Sequence, residues 1–179
     1  MTRYIALLRG INVGGITIKM ADLADIVRGL GHTSVSTVLA SGNVVFHSDE
    51  TDAASVKAGL EAALTDAFGY EAWVVLLTHD KLAETVAAYP FEDREGWHSY
   101  ILFGSAQGRL DELLDAAPTL DPADERVQPG SGVLYWQVRR AVGIKSPFSV
   151  LAAKARFKST TTNRNLRTLH KILAVPADR

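Results

Sequence analysis

Residues able to hold an anion gather near the start of the chain. Arg9, Asn12, Gly14, Gly15 and Lys19 lie in the segment RGINVGGITIK, and Ser41, Gly42 and Asn43 follow about thirty residues later. Glycine frees backbone N–H groups to point at a ligand, and a guanidinium and two carboxamides add fixed donors. Such a set can cradle a phosphate or a small carboxylate. Neither GxGxxG nor GxxxxGK[ST] is present, so no nucleotide fingerprint backs it. A competing reading uses the same residues differently: two interlocking turns, with Arg9 and the asparagines bonding backbone carbonyls.

A second set lies near the other end. Thr162 or Asn163 can cap a last helix, and Arg164, Arg167 and Lys171 then share one helical face, with Asn165 beside them. From Val127 to Ala177 there are nine Lys or Arg and no Asp or Glu, whereas residues 1–126 carry nine Lys or Arg against 19 Asp or Glu. The chain's net charge of −1 hides this polarity. A basic C-terminal part favours anions: a phosphorylated small molecule, nucleic acid, or the acidic half of this chain or of a second copy.

Other chemistries find no support. There is no cysteine, hence no thiolate, disulfide or cysteine metal site, in keeping with the cytoplasm. No two of the five histidines have helical metal-ligand spacing, no GxSxG or HExxH occurs, and no cofactor motif is visible. No catalytic residue is assigned. Apolar runs are far shorter than the roughly 20 residues of a membrane span. The opening MTRYIALLRG has no signal-peptide core and reads as a strand.

These residues must be placed by an α+β fold. Arg3–Gly10 is a first strand and Met20–Leu30 an amphipathic helix. Ser34–Ala40 and Asn43–His47 form a hairpin around Ser41-Gly42. A helix runs from Thr51 or Asp52 to Phe68, followed by a strand over Glu71–Leu77 and a short helix to Ala88. The order β-α-β-β-α-β is the ferredoxin-like plait. In that connectivity the first strand and the hairpin finish at one rim, which brings Arg9 to Asn43. The pattern partly repeats: strands at His98–Phe103, Arg126–Gln128 and Val133–Arg140, helices over Phe148–Phe157 and Leu166–Leu173, and a weak fourth strand near Phe157–Thr161. The reading is two α/β-plait subdomains with antiparallel sheets, residues 1–92 and 93–179, the second carrying the basic C-terminal helices. Strands one and four are apolar on both faces, so the first sheet's outer face should be covered. Tyr135, Gln137 and Arg139 alternate onto one face and could form a base-stacking platform.

YIALLRGINVGG, then Lys19-Met20-Ala21-Asp22-Leu23, SGNVVF and the late TTTNRNLRTLHKIL together resemble the bacterial family called domain of unknown function 1697. The shared residues are Arg9, Gly10, Asn12, Val13, Gly14, Gly15, Lys19, Met20, Ser41, Gly42, Asn43, Thr162, Arg164, Asn165 and Thr168. The resemblance implies two plait subdomains and attaches no catalytic role to any residue. Three functional readings follow: a non-catalytic module for a phosphate-bearing ligand or nucleic acid, an enzyme on a small anionic metabolite at the Arg9/Asn12/Ser41/Asn43 edge, or a self-associating structural protein.

Overall fold

β1 (Thr2–Leu8) is followed by α1 (Met20–Gly29), β2 (Thr33–Thr37), β3 (Asn43–Ser48), α2 (Ala53–Phe68), β4 (Val74–Thr78) and α3 (His79–Ala87) in a computed structural model that describes residues 1–12 and 15–177. The strands form one antiparallel sheet in the order β2-β3-β1-β4. Period-two alternation puts Tyr4, Ala6 and Leu8 on the helix side, where Val44, Phe46 and Val74 join them against Leu23, Val27, Leu60 and Leu64. α2 starts where Asp52 accepts a hydrogen bond from Ala54 N and stops at Gly69, whose φ of 67° suits glycine.

The other face of this sheet is as apolar as its sequence requires: Ile5, Leu7 and Val45 are almost fully buried. Residues from His170 onward belong to this unit. Arg3 donates to Val175 O, and His79 Nε2 lies 3.3 Å from Leu173 O.

The second unit repeats the plan. β5 (Trp97–Gly104), α4 (Gln107–Leu114), β6 (Glu125–Gly130), β7 (Val133–Arg139), α5 (Pro147–Ala152), α6 (Ala155–Lys158), β8 (Thr161–Asn165) and α7 (Leu166–Leu173) follow in order. The sheet order β6-β7-β5-β8 reproduces the first, so both halves are ferredoxin-like plaits. Leu102, Leu134, Trp136 and Val138 pack with Leu110, Leu113, Phe148 and Phe157. The edge strand β6 ends in Pro129-Gly130, and a Cβ on Gly130 would sit 2.5 Å from the Tyr135 ring.

Three differences from the sequence reading have plain causes. The fourth strand is Thr161–Asn165, because its β-branched threonines pair with β5 (Phe103 opposite Thr162, Leu102 opposite Asn163) instead of opening a helix. The helix expected over Phe148–Phe157 is two, broken at Ala153–Lys154. The compact units are Met1–Glu84 with His170 onward, and Thr85–Leu169, so the divisions fall within α3 and α7 and not at residue 92. The tail of α3 and the following loop pack on the second sheet: Tyr135 Oη donates to Thr85 O (2.7 Å), and the Tyr89 ring meets Tyr135 edge-on at 5.5 Å.

Candidate functional site

Connectivity brings the two turns of the first unit together. Leu7 pairs with Asn43, and Leu8 N donates to Gly42 O at 2.8 Å, so the end of β1 and the β2–β3 hairpin share one rim. Asn12, in the left-handed region at φ 56°, reaches across it. Its Oδ1 accepts from Ile18 N (2.9 Å), while Nδ2 donates to Ile18 O (3.1 Å) and Ala40 O (2.7 Å). Asn43 is fully buried and donates to Val38 O (2.7 Å) and Ser41 Oγ (2.9 Å). Gly42, at φ 83°, leaves no room for a side chain: a Cβ would lie 2.6 Å from Ile11 Cδ1. The Asn12 carboxamide therefore ties the loop to the hairpin, and that of Asn43 closes the hairpin on itself.

The remaining polar groups of this rim are arranged differently. Ser41 and Gly15 are exposed, and Gly14 lies outside the described residues. Lys19 is exposed at the start of α1 and makes no side-chain cap bond. Arg9 is half-buried; its Nε is buried with no hydrogen-bond partner among the described residues, and its guanidinium lies 5.9 Å from the Trp73 ring centroid. Lys57 Nζ approaches the same ring at 5.4 Å while bonding Glu61 and Val74 O. Trp73 and Lys57 escape sequence reasoning because one belongs to a loop before β4 and the other to α2. An isolated Trp at a strand start, beside the rim that topology defines, is the usable signal.

In the second unit the basic residues sort into three kinds. Arg139 bonds Asp124 at 2.6 Å and Arg156 lies 3.5 Å from Glu112. Arg164 does not share a helical face with Arg167 and Lys171, because it sits on β8, opposite Ile101, and is 6% exposed. It donates to Thr162 Oγ1 (2.7 Å) and Asn163 O (3.0 Å), and burial lowers its pKa to about 10. Arg140, Lys145, Lys154, Lys158 and Arg167 are exposed and form no ion pair among the described residues. Lys171 is exposed too, in the segment grouped with the first unit.

Two of the unpaired cations converge on His98. Arg140 N donates to Gly96 O at 2.7 Å, two residues before His98, and Asn165, two residues before Arg167, pairs with Tyr100. Asn165 Oδ1 accepts from Arg167 N (2.9 Å) and fixes the start of α7. His98 is held below the usual imidazole pKa by burial and by the charges of Arg140 and Arg167. Tyr100, 6.0 Å from His98 between ring centroids, stacks on Trp136 at 4.9 Å. The sequence reading singled out Arg167 for a site but not His98 or Arg140, whose neighbourhood depends on β5 pairing with strands distant in sequence.

The Tyr135–Gln137–Arg139 platform is closed. Tyr135 is 4% exposed, Gln137 is fully buried with Nε2 on Glu92 O (2.8 Å), and Arg139 is engaged by Asp124. No group of three or more His, Asp or Glu side chains that could hold a metal ion occurs among the described residues, and none of the described helices is long and apolar enough to cross a membrane.

A tandem of α/β plaits, with a locked glycine rim on one and an unpaired basic surface on the other, is the class these observations define. A family model described as protein of unknown function (DUF1697) matches residues 1–135, and the chain belongs to that family. Among solved structures it is similar to the conserved bacterial protein SP0830 from Streptococcus pneumoniae, with 26% identity over 97% of both chains and a TM-score of 0.78. No curated protein matches it.

Proposed function

We propose that this chain is a non-catalytic module that binds a phosphate-bearing ligand, nucleic acid included, through the exposed basic surface of its second unit. The observation that carries this reading is the set of exposed cations Arg140, Lys145, Lys154, Lys158 and Arg167, none of which meets a carboxylate among the described residues, with Arg140 and Arg167 near His98. Like charges held side by side are stabilised by an anion that neutralises them. Lys145, Lys154 and Lys158 extend the positive field, and Arg9 and Lys19 offer a separate contact on the first unit. The carboxamides of Asn12 and Asn43 already serve backbone and hydroxyl groups, which favours a binding module over an enzyme working at that rim.

Fluorescence anisotropy with labelled single-stranded RNA and duplex DNA tests this. Affinity is expected to fall steeply with salt. Replacing both Arg140 and Arg167 by Ala should reduce the salt slope by roughly 1.5, the loss of about two phosphate contacts. Binding should also strengthen as pH falls toward the depressed pKa of His98, because a bound anion favours its protonated form, and His98→Gln should flatten that dependence. Absence of salt-dependent binding to either polymer and to inorganic pyrophosphate would sink the proposal.

A further inference from the structure

A cleft of about 410 Å³ opens in the second unit, lined by Pro90, Phe91, Glu92, Asp93, Arg94 and Arg126. Its volume falls in the range of small-molecule sites. The Arg126 guanidinium lies 4.8 Å from the Phe91 ring centroid and 5.9 Å from that of Trp97, and the Arg94 guanidinium lies 4.6 Å from the same Trp97 ring. Two positive charges thus share one indole, and neither forms an ion pair among the described residues, although Glu92 and Asp93 are close in sequence.

The Arg126 head is aimed as well as charged. It donates to Gln137 Oε1 at 2.6 Å, and Gln137 is fully buried and fixed by Glu92 O. Arg126 Nε is buried and has no hydrogen-bond partner among the described residues. A guanidinium stacked on aromatic faces keeps its in-plane N–H edges for oxygen acceptors, the geometry that suits a planar two-oxygen group. Glu92 and Asp93 on the lining offset the two arginines, so the cleft as a whole disfavours a multiply charged anion.

We propose that this cleft is a binding site for a small organic carboxylate, held between the guanidinium groups of Arg126 and Arg94, and separate from the basic surface around His98. The Phe91 and Trp97 rings fix the two arginines, and Pro90 and Phe91 give the ligand's carbon skeleton an apolar wall.

The test follows the arginine Nε–Hε and tryptophan Nε1–H resonances of the ¹⁵N-labelled full chain as benzoate is added, with inorganic phosphate in parallel. Benzoate is expected to move the Arg126 and Trp97 signals saturably, with a dissociation constant of order 1 mM. Arg94→Ala, an exposed change, should weaken binding about tenfold. Arg126→Lys, which keeps the charge but loses the fork, should remove the Trp97 response. Three results overturn the assignment: no saturable movement with benzoate, tighter binding of phosphate than of benzoate at these signals, or an unchanged Trp97 response in Arg126→Lys.

Discussion

Glu125 Oε2 accepts a hydrogen bond from Trp136 Nε1 at 3.0 Å while its Oε1 accepts from Phe148 N at 3.0 Å, and the residue is 1% exposed. One carboxylate thus joins β6, β7 and the first turn of α5 inside the second core. Removing it strands two buried N–H donors, each worth about 1–3 kcal/mol. Glu125→Ala should cost about 2–4 kcal/mol by urea denaturation, and Glu125→Gln about half of that. Equal losses in both variants would show that packing, and not the paired acceptors, is what matters there.

Gly42 provides a second test. Its φ of 83° disfavours any side chain, and a Cβ would press on Ile11 Cδ1 at 2.6 Å and Leu8 Cβ at 2.9 Å. Gly42→Ala should destabilise the protein by about 2–4 kcal/mol, combining backbone strain with overpacking. Gly69→Ala, at a φ of 67° with nothing within 4 Å, should cost only about 1 kcal/mol. Thermal unfolding of the two variants side by side separates strain from contact.

Alkaline pH should destabilise the second unit through its tyrosines. Burial raises the Tyr89 pKa to about 12, and that of Tyr135 also rises. The unfolded chain loses these protons near pH 10 while the folded chain keeps them. Stability is therefore fully present below about pH 10 and is lost as pH rises toward about 12. Tyr89→Phe should make the fall shallower in a pH series of denaturant midpoints; an unchanged slope would remove Tyr89 as its source.

The rim was legible because connectivity alone dictates it: in a β-α-β-β-α-β unit the end of the first strand and the hairpin share an edge, and Leu8 bonds Gly42 as that requires. The burial of Ile5 and Leu7 was legible from alternation. Arg164 was not, since TTTNRN holds both β-branched residues and helix-capping ones, and only pairing with β5 decides between them. Local sequence could not tell whether Asn12 and Asn43 face a ligand or a carbonyl; that depends on where residues 18, 38 and 40 fall. His98 and Arg126 owe their surroundings to strands distant in sequence, so no local pattern announces them.

Pro129 has a consequence beyond its own strand. It sits on the outer strand β6 opposite Leu134 and brings no amide hydrogen to the open side of the sheet. Another chain trying to extend that sheet would meet a missing donor there, followed by a glycine. The margin is thus guarded against runaway stacking of one molecule on the next.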